Sequence, residues 1–170
     1  MTQVALVRID DRLIHGQVVV KWLRHLECDE IWIVDDQLYG DDFMQSVLSL
    51  AAPPEVRVQV TPVREATRRL EQPLNSGHTV MVLLKSPQTA LALLDDGLQF
   101  EELNVGGLAA GAGTTRLYKS VSATDEHIAA LRAIRDRGVR VYFQMVPEER
   151  PVEMAAVLPL KRLARNVEVH

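Results

Sequence analysis

Short β-branched apolar runs alternate with stretches of helical periodicity along almost the whole 170-residue chain. No other feature limits the fold as much. Runs of four to eight apolar residues bounded by turn signals read as strands, and apolar positions three and four apart read as helices. The strand-like runs are Gln3–Ile9, Glu30–Asp35, Val56–Val60, Thr79–Leu84, Glu102–Val105, Leu117–Val121 and Val139–Gln144. Between them lie helical patterns over His15–Leu26, with Val19, Trp22, Leu23 and Leu26 on one face, and over Asp42–Ala51. Two more helices open on Thr61-Pro62 and Ser86-Pro87, where a hydroxyl can cap and proline suits the first helical position. The second of these runs to Asp95, and a further helix leads from Ser122-Ala123-Thr124-Asp125-Glu126 to about Arg137. Asn75-Ser76-Gly77 reads as a turn, and Val152–Arg165 as partly helical. Alternation at this spacing predicts an α/β fold: three layers, with a mainly parallel central sheet of about seven strands and helices on both faces. No linker or internal repeat divides residues 1–170, so a single domain is expected. In such sheets the binding site lies beyond the carboxyl ends of the strands. His15, Asp35/Asp36, Lys85/Ser86 and Gly106/Gly107 all follow strand ends and should share one edge.

Bulk properties remove several function classes. The chain is 47% hydrophobic and 25% charged, the balance of a globular protein rather than a disordered one. A net charge of −4 argues against generic nucleic-acid binding, which needs a basic footprint. The single cysteine, Cys28, has no internal partner and suits a reducing compartment. No basic segment followed by an apolar stretch opens the chain, so no signal peptide is read. The longest apolar runs, such as Val80–Leu84, are too short to span a bilayer, so any membrane connection must pass through a partner.

The loop Val7-Arg8-Ile9-Asp10-Asp11-Arg12-Leu13-Ile14-His15-Gly16-Gln17-Val18 carries the most chemistry. A neutral imidazole is a competent nucleophile towards phosphorus, and imidazoles as a class titrate near physiological pH. Arg8 and Arg12 could supply charge-assisted hydrogen bonds to phosphoryl oxygens. Backbone N–H groups around Gly16 and Gln17, at a helix start, could add donors. Asp10 and Asp11 could hold the arginines or cap the turn. The same residues also fit a plainer account, in which His15 caps a helix and the arginines make surface ion pairs. Ser86 could offer a hydroxyl and free amides to a phosphate, or simply cap the Pro87 helix. Gly106-Gly107, after Asn104-Val105, permits close backbone approach or merely makes a turn. Asp36 and Asp35 could support the site or be ordinary loop polarity. No phosphate-binding P-loop, dinucleotide-binding glycine pattern or metal-ligand spacing is present, so no metal site is read. His25, His78 and His127 lack neighbours in sequence that suggest chemistry.

Arg8-Ile-Asp-Asp-Arg12-Leu-Ile-His15-Gly16-Gln17-Val resembles the phosphorylation-site signature of the IIB subunits of the mannose/fructose/sorbose family of the bacterial phosphoenolpyruvate-dependent sugar phosphotransferase system. Val34-Asp35-Asp36, Leu84-Lys85-Ser86-Pro87, Asn104-Val-Gly-Gly107, and Leu117-Tyr118-Lys119 before the Thr124 helix start follow in the family's order. The resemblance spans most of the chain. It implies a cytoplasmic phosphocarrier, peripheral to the inner membrane face, whose His15 accepts a phosphoryl group from a IIA protein. The carrier would pass that group to a sugar bound by the membrane IIC/IID permease, with no cofactor and no metal. Carried over, His15 is the phosphohistidine, Arg8 and Arg12 are phosphate-site arginines, and Ser86 is the serine after the fourth strand. The δ1 ring nitrogen is the family's phosphorylated atom, and homodimers are common in the family. The loop Ala109–Thr114 is smaller and less basic than the family pattern, which leaves partner or sugar specificity open. Two other classes stay in view: an anion-binding module without catalysis, and an enzyme using His15 as general base on a small molecule.

Overall fold

The structure, a computed structural model, describes residues 3–71 and 77–158. In chain order its elements are β1 (Gln3–Asp10), α1 (Gly16–Leu26), β2 (Glu30–Val34), α2 (Asp36–Tyr39), α3 (Asp42–Ala51), β3 (Arg57–Thr61), α4 (Val63–Glu71), β4 (Thr79–Leu84), α5 (Pro87–Asp95), β5 (Glu102–Gly107), β6 (Thr115–Tyr118), β7 (Val121–Ala123), α6 (Asp125–Asp136), β8 (Arg140–Phe143), β9 (Val152–Glu153) and α7 (Met154–Val157). The main sheet has seven strands in the order β3-β2-β4-β1-β5-β8-β9. All its pairings are parallel except that of β9, which runs antiparallel to β8 at one edge. The expected α/β architecture and strand number are therefore present.

Alternation along each strand splits the core into two layers. Val7, Ile9, Trp32, Val34, Val80, Val82, Leu103, Val105 and Phe143 face α4, α5 and α6, through Ala66, Leu70, Ala90, Leu93, Leu131 and Ile134. Leu6, Ile31, Ile33, Met81 and Leu83 face α1, α2 and α3, through Val19, Trp22, Leu23, Leu38 and Leu48. Central strands covered on both faces read as continuous apolar runs, which is why they were visible in the sequence. Cys28 is buried, and burial, reinforced by Asp29, pushes its thiol up to about 11.

Several local expectations are corrected. Leu117–Val121 is not one strand: the chain turns at Lys119-Ser120, and β6 and β7 pair antiparallel in a hairpin outside the main sheet. Both flanks still bury a side chain, Leu117 and Val121, which made the segment look continuous. The seventh strand of the main sheet is instead β9, at the start of the segment read as partly helical. The helix there, α7, has one turn, and residues 159–165 lie outside the described residues, as do Asn75 and Ser76 of the expected turn. Thr61 does not cap α4. It ends β3, fully buried, and the α4 amide at Val63 donates to the Asp36 carboxylate at 2.9 Å. Thr124 does cap α6, in a reciprocal pair: its hydroxyl accepts from the His127 amide at 3.1 Å, and the His127 ring accepts from the Thr124 amide at 3.2 Å.

Candidate functional site

β1 lies between β4 and β5, near the centre of the sheet. The chain leaves β1 towards β2 on one side, whereas β5 leads on to β8 on the other. Strand order thus reverses beside β1, and that reversal opens a crevice at the carboxyl edge. The loop after β1 and the end of β5 meet there: the Asp11 amide donates to the Gly107 carbonyl at 3.1 Å. On the far side of the loop, the Ala109 amide donates to the Asp11 carboxylate at 2.8 Å.

Asp10 is the hub. Its side chain is fully buried and faces α1, on the same side of β1 as Leu6 and Arg8. One carboxylate oxygen, Oδ1, accepts from the Arg12 amide at 3.1 Å and from Arg12 Nε at 3.2 Å. The other, Oδ2, takes Arg8 Nη2 at 3.2 Å and His15 Nε2 at 3.1 Å. Burial works to raise the Asp10 carboxyl pKa, but the bonds from His15 and Arg12 and the Arg8 charge outweigh it and hold the group below the usual range. An ionised carboxylate can only accept. Nε2 of His15 is therefore the donor to Asp10, and in the neutral ring the lone pair falls on Nδ1. His15 sits at the N-cap position of α1, but its side chain makes no capping bond. Its ring is 24% exposed, enough to be reached from outside while its far nitrogen is held.

The two arginines differ in kind. Arg12 is about half exposed, and its Nη1 has no partner among the described residues. Arg8 is not at the surface, contrary to the expectation that it contacts phosphoryl oxygens. It is completely buried: Nη1 donates to Asn104 Oδ1 at 2.5 Å and to the Gln144 carbonyl at 3.1 Å, and the guanidinium lies 5.6 Å from the Trp22 ring centroid. Burial lowers the Arg8 pKa and Asp10 opposes this, so the pair is a buried ion pair behind His15. Gly106 and Gly107 do not form a turn; they are the last residues of β5. A Cβ on Gly106 would fall 2.1 Å from the Arg8 guanidinium, and one on Gly107 2.7 Å from the Asp10 carboxylate. The glycine pair is the space in which the ion pair lies.

Gly16 adopts φ +49°, a conformation that favours glycine, and begins α1; Gln17 is exposed beside it. The first amides of a helix have no intrahelical partner, so those of Gly16 and Gln17 are left for other acceptors. Ser86 caps α5, accepting from the Thr89 amide at 3.3 Å, and Asp36 is occupied by α4. Among the described residues no hydrogen bond links either of them to the Asp10 cluster. Asp35 caps α2 and lies 3.9 Å from Lys85. His78 pairs with Asp29, and His25 stacks edge-on against Trp22.

Sequence reasoning missed Gln144 and Trp22 as parts of the site and read Asn104 only as part of a turn motif. Trp22 Nε1 donates to the Met145 carbonyl at 2.9 Å, so it ties α1 to the segment that holds Arg8. A depressed Asp10 pKa means that the unfolded chain takes up the proton first as pH falls. The stability contributed by this carboxylate is thus present above its ordinary value of 3.8 and is lost below it. Urea unfolding across pH should show the wild type more stable than Asp10→Asn at pH about 6, with the gap closing below pH about 4. A gap that stays constant through that window would contradict this account.

Fold and cluster together define a doubly wound α/β protein with an oriented, accessible imidazole at its switch point. A family model for the PTS system sorbose subfamily IIB component matches residues 4–168. The sorbose-specific EIIB component of Lacticaseibacillus casei is 34% identical over 143 residues, 84% of this chain and 87% of that protein. The mannose-specific EIIAB component of Escherichia coli is 32% identical over 151 residues, 89% of this chain and 47% of that longer protein. The crystal structure of the IIBSor domain of the sorbose permease from Klebsiella pneumoniae matches with a TM-score of 0.87 at 32% identity, covering 95% of this chain and 99% of that one. The chain belongs to the sorbose-subfamily IIB components of the sugar phosphotransferase system.

Proposed function

We propose that His15 accepts a phosphoryl group from a phosphohistidine of a IIA protein and passes it to a sugar held by a membrane IIC/IID permease. The observation that carries this reading is the His15–Asp10 bond at 3.1 Å. It fixes the ring, protonates Nε2 and presents the Nδ1 lone pair outward. In the accepting step Nδ1 attacks phosphorus in line, a new N–P bond forms, and the donor's N–P bond breaks with its electrons returning to the donor ring nitrogen. In the second step a sugar hydroxyl attacks, the N–P bond to His15 breaks, and the hydroxyl proton leaves as the phosphate ester forms. Positioning and charge balance supply most of the catalysis in such transfers. Arg12, through its free Nη1, and the amides of Gly16 and Gln17 are placed to balance charge on the phosphoryl oxygens. Arg8 acts one layer behind, by keeping Asp10 charged and aimed.

The A and B parts named in the E. coli EIIAB relative support a IIA donor. Among the described residues no helix is long and apolar enough to cross a membrane, consistent with a carrier working at the cytoplasmic face of a separate permease. Incubation with phosphoenolpyruvate, the two general phosphotransferase proteins and a cognate IIA protein should deposit an acid-labile, alkali-stable phosphoryl group on His15. Phosphorus–nitrogen couplings in NMR should place it on Nδ1. A group found on another residue, or on Nε2, would overturn the mechanism.

A further inference from the structure

From Glu27 to Val56 the chain carries eight acidic residues and no lysine, arginine or histidine in 30 positions. The large apolar side chains that stand exposed in the described structure are all found in this same stretch: Tyr39 (40%), Phe43 (75%), Met44 (36%), Val47 (41%) and Leu50 (87%). On α3, Phe43, Val47 and Leu50 follow at i, i+4 and i+7 and form one outward stripe, while Leu48 and Ala52 turn into the core. The helix is thus apolar on two sides, and only one of them is used by the fold. Asp36, Asp41, Asp42 and Glu55, all exposed, lie in the same stretch of chain as the outer stripe. An exposed apolar patch with a charged rim marks an interaction site.

The geometry points to the membrane permease as the occupant of this face; the inference rests on the carrier function proposed above. Three observations favour that partner. The stretch that carries the stripe has eight acidic residues and no cation of its own, and the cytoplasmic loops of membrane proteins are enriched in lysine and arginine. A second copy of this chain would set acid against acid, and an anionic lipid surface would be repelled. One end of the patch, α2 and the first turn of α3, is also close to the chemistry. α2 leaves the carboxyl end of β2, the edge that holds His15, and β2 is two strands from β1, about 10 Å at the usual inter-strand spacing. A permease seated on α2 and α3 would have its sugar site beside the open ring, and the other flank of His15 would remain free for the donor.

A Phe43→Ser/Leu50→Ser chain should accept phosphoryl groups from phospho-IIA at the wild-type rate. With inverted vesicles carrying the cognate IIC and IID components, it should need at least about tenfold more protein for half-maximal sugar phosphorylation, at an unchanged maximal rate. If the double variant does not fold, Leu50→Ser alone carries the test, since that side chain packs against little; a shift of about threefold is expected. Unchanged half-saturation would overturn the inference. So would slowed labelling by IIA, equal retention on vesicles of the same lipid without permease, or a wild-type dimer that the substitutions split. A wild-type chain that takes no label at His15 would instead sink the carrier function itself.

Discussion

A His15→Ala chain should take no phosphoryl group from phospho-IIA and should unfold at nearly the wild-type denaturant midpoint. The side chain is partly exposed and, among the described residues, packs in no core cluster and makes one hydrogen bond, to Asp10. Once it is gone, Asp10 keeps the Arg8 and Arg12 bonds, so no buried charge is left unpaired. A single hydrogen bond of this kind contributes about 1 kcal/mol. A helix-capping role would show the opposite pattern, with lost stability and retained label. Alkali-stable phosphate and urea unfolding measured on the same preparation separate the two. Residual label at wild-type yield, or a loss beyond about 3 kcal/mol, would contradict the arrangement described.

Gly106→Ala should cost the most stability of any single methyl added to this chain. The added Cβ would lie 2.1 Å from the Arg8 guanidinium carbon and equally close to Nη2. The guanidinium has little room to move: Asn104, the Gln144 carbonyl and Asp10 hold its two terminal nitrogens, and Trp22 lies across its face. Either the strand shifts or the ion pair breaks. Overpacking a core costs about 1–3 kcal/mol, and splitting a buried pair about 3–5 kcal/mol. We expect a loss of about 3–5 kcal/mol in urea unfolding, a large part of the 5–15 kcal/mol typical of a domain. Transfer to His15 should slow in whatever protein stays folded, because Asp10 loses its anchor. Gly111→Ala is the control: a Cβ there meets nothing within 4 Å, and its effect should stay within about 0.5 kcal/mol. Equal effects at the two glycines would refute the cradle.

The two substitutions also mark where the sequence is readable. The layered sheet was legible because its central strands are apolar on both faces and their helices carry clear starts. β9 escaped notice and the β6–β7 hairpin was read as one strand because strands of two to four residues have too few positions to show a period. The His15 loop was legible as a cluster of chemistry-bearing residue types within a few positions of each other. Arg8 was read as a phosphate contact or a surface ion-pair partner; a fully buried arginine is rare, and its partners lie 96 and 136 residues away. No local pattern connects Arg8 to Asn104 and Gln144; only the pairing of β1 with β5 and of β5 with β8 does. Gly106 and Gly107 stayed open between a close approach and a turn for the same reason, since the side chains they make room for come from another strand. The α3 stripe has the spacing of a buried face, and only the fold shows that the sheet is covered from the other side of that helix.

The β6–β7 hairpin stands apart from the main sheet. It is joined to the end of β5 by the Ser120 hydroxyl on the Gly106 carbonyl at 2.7 Å and by bonds at Leu108. Its largely exposed approach, Ala109–Thr114, reaches the His15 loop, among the described residues, through the bond from the Ala109 amide to Asp11. Lengthening or shortening a loop of this kind costs little free energy. Residues 110–114 are thus free to drift over evolutionary time without moving Asp10, Arg8 or His15. Under the carrier function proposed above, the surface beside the His15 ring can change while the ring stays in place, which would let partner choice vary separately from the transfer step.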